Sequence, residues 1–541
     1  MKRLVFLIVC IQQLLFTSLL FAENAENGFD GKLSALIVNS NRQKAVAIEA
    51  LATLDDARVL PALKAMLDAR LYYRKQDKQI VYLLETSSSV SISGVISGED
   101  LGVVEKNTIK KIRINNKLRR VLRASISSLE LTSSDAELRL NSAKNLIKVP
   151  NKTLRQAISA AIKTEKNREV KQSMQLALAM IDIDSDNQPL RMIAMQVIGD
   201  SISPDAVNLL ARLSQRDENG AYVEQNQEIA ELAENRLKDA KSQLKFFKVI
   251  EDFIFGLSLG SILLLAAIGL AITFGVMGVI NMAHGEMIML GAYTTFAIQQ
   301  LFPELIQYSI FIAIPVAFLV SGAVGVLIER LVIRHLYGRQ LDTLLATFGI
   351  SLILQQAVRM YSSNNVAVIS PDFISGFWQM NEAVAITYNR IYVLFFSLIV
   401  LGVLALVLKK TLLGLQMRAV TQNRAMANSM GIHSSWVDAL TFGLGSGIAG
   451  IAGVALSQFT NVGPNMGQGY IIDSFMVVVF GGVGNLLGTF FGAMSLGVAN
   501  KFLEPYTGAV IAKIMVLVFI ILFIQWRPRG LFALKGRFVE D

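Results

Sequence analysis

Between residues 253 and 526 the chain returns again and again to apolar runs of membrane-crossing length. A helix needs about 20 such residues to cross a ~30 Å hydrocarbon layer. In lipid, every backbone N–H and C=O must be bonded within the protein, so these runs can fold only as packed helices. Nine spans are predicted, at 253–274, 276–299, 309–331, 342–360, 391–408, 436–459, 471–484, 487–503 and 509–526. The seventh is short and runs into "FGGVGN", which reads as a broken or re-entrant helix. Residues 23–248 are different, with abundant Lys, Arg, Asp and Glu. The overall 53% hydrophobic and 17% charged composition therefore averages two unlike parts. The net charge of +9 does not imply a nucleic-acid partner, because many basic residues of the second part cluster at span ends.

Residues 1–22 have the form of a signal peptide. Lys2 and Arg3 precede the apolar core Leu4–Leu20, and Leu20-Phe21-Ala22 leads into the polar "ENAENG". Cleavage after this segment, or its retention as an anchor, are the two readings. The single cysteine, Cys10, lies within it, so a cleaved chain would carry no disulfide, cysteine nucleophile or cysteine metal ligand. Residues 23–248 are predicted to be an exported helical-repeat (HEAT-like) domain. Segments 44–67, 138–162 and 190–213 each give two helix-length apolar periods separated by a short turn, the pattern of stacked helix pairs. Within 79–116, "QIVYLLE", "VSISGVI" and "TIKKIRI" alternate like strands, which predicts a small β insertion. The three histidines are His284, His335 and His433, so this part has none. Its charged faces read as solvated surface, or as a docking face for a periplasmic partner.

Basic residues orient the membrane part, 249–541. One set of loops and the tail carries Arg330, Arg334, Arg339, Lys409, Lys410, Arg418, Arg424, Arg527, Arg529, Lys535 and Arg537. The other set carries Arg359, Arg390 and Lys501. The positive-inside rule makes the first set cytoplasmic. Residues 23–248 are then periplasmic, and the chain is a multi-pass protein of the bacterial inner membrane.

The stretch "INMAHGEM" places Asn281, His284 and Glu286 inside an apolar run. Such groups are costly in hydrocarbon and demand a reason. Counted as continuous helix from Val276, Asn281 and His284 share a face and Glu286 falls near the midplane. The trio either ties helices together and caps a broken one, or lines a solute path. Asp473 and Lys513 fall near the same end of their spans and read as a structural ion pair. No metal-ligand set and no nucleophile–base pair stands out, so neither an enzyme nor a bound cofactor is predicted.

The loop 409–435, "KKTLLGLQMRAVTQNRAMANSMGIHSS", contains a short helix ending at Gly431. Its pattern Gly414, Arg418, Ala419, Asn423, Ala427, Gly431, Ile432 resembles the coupling loop of importer permeases. The segments "GLSLGSILLLAAIGLAITFGVMGVINMAHGEMIMLGAY" and "FMVVVFGGVGNLLGTFFGA" resemble branched-chain amino acid ABC permeases. "GRQLDTLLATFGISLILQQAVR" and "QWRPRGLFALKGR" are most similar to the urea-transporter permease subunit of that family, and the long N-terminal domain resembles one form of it. The resemblance implies an all-α ABC importer permease moving urea or a close small amide. It implies as partners a second homologous permease subunit, two cytoplasmic ATP-binding subunits, a periplasmic solute-binding protein and the lipid bilayer. The chain has no G-x-x-x-x-G-K-[ST] phosphate loop, consistent with ATP hydrolysis on separate subunits. An importer of branched-chain amino acids or another small polar solute, an ATP-independent channel, and a membrane sensor with an exported receptor domain are the alternatives.

Overall fold

The computed structural model describes residues 28–532, apart from 39, 55, 87–88, 97, 106, 363–364 and 382–383. The predicted signal segment with Cys10, and Lys535 and Arg537 of the tail, lie outside the described residues. The chain divides between Ser242 and Gln243 into two compact units.

The first unit opens with helices α1 (Phe29–Ser34), α2 (Asn41–Ala52) and α3 (Val59–Leu67). Strands β1 (Leu71–Arg74), β2 (Ile80–Thr86), β3 (Ser89–Gly94), β4 (Asp100–Val103) and β5 (Ile109–Lys111) follow. They form one antiparallel sheet in the order β4-β3-β2-β1-β5. The β insertion thus begins at Leu71 rather than 79 and has five strands. Two strands are missing from the prediction, β4 and β1; "LYYR" of β1 pairs Leu71 with Tyr82 on one side and Tyr72 with Lys111 on the other. Helices α4 (Asn116–Leu131), α5 (Ala136–Lys148), α6 (Arg155–Thr164), α7 (Arg168–Asp182), α8 (Gln188–Gly199) and α9 (Pro204–Leu213) complete the series. The predicted helix pairs coincide with α2–α3, α5–α6 and α8–α9. Their starts are set locally. Asn115, Asp135, Asn167, Asn187 and Ser203 each accept a backbone N–H at a helix N-terminus, which satisfies a donor the helix itself cannot. Two cores result. Leu33, Ile48, Leu63, Leu118 and Leu122 belong to one. Ile158, Met174, Met195 and Leu210 belong to the other, joined by Ile229 and Ala233.

The helix carrying Ile229 is α10 (Gln227–Met277), 51 residues long. The membrane unit continues with α11 (His284–Leu301), α12 (Ser309–Leu331), α13 (Gln340–Tyr361), a hairpin of β6 (Phe377–Gln379) and β7 (Ala385–Thr387), and α14 (Tyr388–Lys410). Then come α15 (Leu412–Gln422), α16 (Arg424–Ser429), α17 (Ser434–Leu456), α18 (Gln468–Gly481), α19 (Leu486–Thr507) and α20 (Ala509–Trp526). Among the described residues, seven helices are long and apolar enough to cross a membrane, not nine. The predicted span 276–299 fails because its helix breaks after Met277 and resumes at His284 with a polar first turn. The predicted span 471–484 is the 14-residue α18, about 21 Å long at 1.5 Å per residue and shorter than a ~30 Å core.

Helices α10, α11, α12 and α17 meet backbone to backbone. A Cβ on Gly291 would lie 2.0 Å from the Gly450 carbonyl oxygen, and one on Gly453 would lie 1.9 Å from that of Ile288. Only glycine permits such approach, as is common where helices pack in lipid. By contrast α14 and α20 leave most of their apolar side chains exposed. The end of α18 is closed by the chain after α20. Leu531 N–H donates to the Phe480 carbonyl at 2.9 Å and Phe532 N–H to that of Gly481 at 3.1 Å.

Candidate functional site

The break between α10 and α11 centres on Gly278, at φ +67°, and runs to Ala283. Asn281 therefore lies in non-helical chain, not on one helix face with His284, and the depth count along a continuous helix does not apply. Its Oδ1 accepts the Ala283 N–H at 3.0 Å, a local turn that leads into α11. His284 donates from Nε2 to the Ala266 carbonyl on α10 at 2.8 Å, a bond that sets the neutral tautomer with its proton on Nε2. Glu286 faces α13. Its Oε1 accepts from Ser351 Oγ at 2.9 Å and from Gln355 Nε2 at 2.7 Å. The three residues are 0%, 0% and 1% exposed. Asn281 Nδ2, His284 Nδ1 and Glu286 Oε2 each have no hydrogen-bond partner among the described residues. The structure thus brings the trio to one break while pointing each member at a different neighbour.

Glu286 is held by two neutral donors, Ser351 and Gln355. Sequence reasoning missed α13. Thr343, Thr347, Ser351 and Gln355 recur at a spacing of four, which keeps them on one helix face. All four are buried, while Leu341, Leu345 and Ile353 on the same helix are exposed. Thr347 Oγ1 accepts the Met282 N–H at 3.1 Å, so this polar edge also holds the broken segment. A carboxylate, an amide and three hydroxyls along one edge can accept and donate several hydrogen bonds without a fixed cation. The four-residue spacing inside "TLLATFGISLILQQ" was the available signal.

Lys513 Nζ on α20 donates to Asp473 Oδ2 on α18 at 2.8 Å. Asp473 is buried and the Lys513 side chain is 53% exposed, so the ammonium end can reach toward the interface.

The loop 409–435 folds as two short helices. Thr411 caps α15, and Gly414 sits so close to α14 that a Cβ would lie 2.1 Å from the Leu408 carbonyl oxygen. Asn423 separates the helices and caps α16 by accepting the Met426 N–H at 2.9 Å. Gly431, at φ +86°, ends the pair in the left-handed region, where a side chain is strained. Ala419, Ala427 and Ile432 turn inward and pack against the membrane core, and Arg418 Nε donates to the Gly414 carbonyl at 3.3 Å. The outward face is mixed, with Met430 77% and Met426 62% exposed beside Leu412 and Leu415, and Arg418, Gln422, Asn428 and Ser429 exposed among them. Gly414, Ala419, Ala427 and Ile432 of the pattern thus face inward, while Arg418, Asn423 and Gly431 share the surface with residues outside it.

No group of three or more His, Cys, Asp or Glu able to hold a metal occurs among the described residues.

Residues 253–525 match the family model described as "Branched-chain amino acid transport system / permease component". The high-affinity branched-chain amino acid transport system permease protein BraD of Pseudomonas aeruginosa is 31% identical over 297 residues, covering 53% of this chain and 96% of that protein. The permease protein LivH of the corresponding system in Escherichia coli K12 is 28% identical over 298 residues, covering 53% of this chain and 96% of LivH. An inner membrane ABC transporter permease, YjfF of Escherichia coli, is 30% identical over 151 residues, covering 26% of this chain and 44% of YjfF. No solved structure matches the chain. The polar break, the glycine-packed helices and the loop all lie within the matched region, and the chain belongs to the family of branched-chain amino acid transport system permeases, a multi-pass membrane component of transport rather than a catalytic enzyme.

Proposed function

We propose that this chain is the membrane-spanning subunit of an ATP-driven importer of the branched-chain amino acid type. The observation that carries the reading is the buried polar edge Glu286–Ser351–Gln355, set beside a helix break in a family permease. A helix break in lipid is tolerated where protein or a solute path receives the freed backbone groups. In this reading Asn281, His284 and Glu286 border the path on the α11 side. The outward Met426, Met430 and Leu415 of the loop meet a separate ATPase, while Gly414, Arg418, Ala419, Asn423, Ala427, Gly431 and Ile432 shape the loop for that contact. The partners are a second homologous permease, two ATPases and a solute-binding protein. Residues 23–248 stand on the periplasmic side, behind a signal peptide at 1–22, and the C-terminus is cytoplasmic. The Asp473–Lys513 pair is structural.

A second reading concerns the solute. The relatives' names favour branched-chain amino acids. The edge itself combines one carboxylate with neutral amide and hydroxyl groups. An amino acid would bring an ammonium to Glu286 along with its carboxylate, and urea brings N–H donors on both sides and a carbonyl, so the edge serves either. The urea-like phrasing of 338–359 and 525–537 is what supports urea. Uptake of labelled urea and leucine in a strain lacking the chain decides between them. Loss of leucine uptake alone keeps the first solute, loss of urea uptake alone keeps the second, and loss of neither removes the importer reading.

A further inference from the structure

Where α12 ends and α17 begins, the structure buries a charged cluster. Glu329, in the last turn of α12, is 2% exposed, and Asp438, in α17, is 3% exposed. Arg424, the first residue of α16, bonds Asp438 Oδ2 and lies with its guanidinium carbon 3.8 Å from the centroid of the Tyr337 ring. Arg330 lies 4.1 Å over the ring of Trp436, and its Nε is 3.8 Å from Glu329 Oε2, too far for a hydrogen bond. Four buried atoms in this cluster have no hydrogen-bond partner among the described residues: Glu329 Oε2, Asp438 Oδ1, Arg424 Nη1 and Arg330 Nη2. Two are acceptors and two are donors.

Buried polar groups are normally bonded, and a missing partner for a charged one is costly. Here donors and acceptors are equal in number and share one cluster, yet remain unmatched. Glu329 is within electrostatic reach of Arg424 as well as of Arg330 and Arg334. A shift of α16 would therefore carry Arg424, whose side chain is 29% exposed, from the buried Asp438 toward the buried Glu329. A group with two competing partners of like charge has two discrete arrangements, which is the element needed to pass a movement on.

We propose that Arg424 is a positioning residue that passes movement of the α15–α16 pair to α12 and α17 by exchanging its bond between Asp438 and Glu329. The inference rests on the reading that this loop meets the ATPases. In the arrangement described, Arg424 joins α16 to α17. In the other it joins α16 to α12, and the stacked pairs Arg424–Tyr337 and Arg330–Trp436 keep both guanidinium groups near the cluster during the exchange.

The test uses the assembled transporter in proteoliposomes, with three readouts: co-purification of the ATPases, solute-stimulated ATP hydrolysis and solute uptake. Glu329→Gln leaves the Arg424–Asp438 bond in place and removes the second charged partner. It is expected to retain the ATPases but to lower solute-stimulated hydrolysis and uptake about tenfold, within the usual range of coupling between sites. The double change Arg424→Glu with Asp438→Arg preserves an opposite-charge pair between α16 and α17 but sets like charge against Glu329. A static tie would work as well in this form. Exchange would not, so retained ATPases with the same loss of uptake are expected. Wild-type uptake in either variant overturns the proposal. Loss of the ATPases from either variant also overturns it, because the role assigned to these charges is transmission and not docking. Failure of the unaltered chain to hold the ATPases would instead overturn the reading of the loop itself, and this proposal with it.

Discussion

Arg139 on α5 grips Glu165 through two bonds, at 2.6 and 3.1 Å, and Arg155 on α6 grips Asp182 on α7 at 2.5 and 3.0 Å. Arg191 reaches Glu224 at 2.8 Å. The helices of the N-terminal unit are thus tied by full charges whose carboxylates are mostly buried, beside a core of leucine, isoleucine and methionine. The membrane unit also holds charged pairs, Arg424–Asp438 and Lys513–Asp473, but outside its glycine seam. Its helices meet through glycine backbones, and its most buried trio is held by a carbonyl, a hydroxyl and an amide. The difference follows from the solvent. Each of these carboxylates is mostly buried while its arginine keeps part of its guanidinium in water, so the charge is both paired and partly solvated. In hydrocarbon the hydrophobic effect no longer drives helices together, and close packing with neutral hydrogen bonds takes over.

The contrast can be broken most severely at the glycine seam. Gly453→Leu would force α11 and α17 apart, since even its first carbon falls 1.9 Å from the Ile288 oxygen. Overpacking costs about 1–3 kcal/mol in ordinary cores, and rigid backbone on both sides puts this case at the upper end. Loss of a monodisperse peak in detergent chromatography is expected. Gly402→Ala on α14, where an added Cβ meets nothing within 4 Å, should elute normally. Equal behaviour of the two would remove the seam as the organising contact.

Next comes Glu286. Glu286→Leu strands the Ser351 and Gln355 donors in a buried site, at a cost of about 1–3 kcal/mol for each group left unbonded. Glu286→Gln keeps an acceptor. Uptake is expected to vanish in the first and largely survive in the second, with both inserted at normal levels. Unchanged uptake in Glu286→Leu would return the break to a packing role.

The N-terminal unit should respond to acid instead. The Arg139 guanidinium, followed by backbone N–H bonds, holds the Glu165 carboxyl below its ordinary value. A lowered folded value stabilises the fold above the unfolded carboxylate pKa of about 4.3, and this is lost as pH falls through the lower folded value. Hydrogen exchange across α5 to α7, followed as pH falls through and below that value, should show the loss in the parent chain. Glu165→Gln should show reduced protection, by about 1 kcal/mol, already at neutral pH and less further change with acid. An identical acid profile in the two would show that the pair contributes nothing. The smallest effect is expected at Asp68, whose pair with Arg70 is more than half exposed on both sides. Asp68→Asn should change the thermal midpoint negligibly, as most exposed substitutions do.

Much of the fold was legible because period and length are written directly in residue type. The spans at α12, α13, α14, α17, α19 and α20, and the helix pairs of the first unit, all follow from apolar spacing. What escaped was tertiary. The break after Met277 lies in a run that stays apolar through Ile280, so periodicity carries across it, and only Gly278 and Asn281 mark the stop. Strand β1 is four residues long and gains its identity from β2 and β5. The trio at the site was visible as polar residues in an apolar run. Its partners on α13 lie some 65 to 69 positions away, and local spacing alone does not join two helices that far apart.

The closure of α18 has a consequence for the order in which the protein can be completed. Its last carbonyls are met by Leu531 and Phe532, which leave the ribosome only after α19 and α20 have been made. Until then α18 is a short helix with open acceptors, a state that lipid does not accommodate. The membrane unit therefore cannot reach its final form span by span during synthesis. Residues 531 and 532 close a helix made much earlier, and a chain stopped at Trp526 would carry every span and still lack that closure.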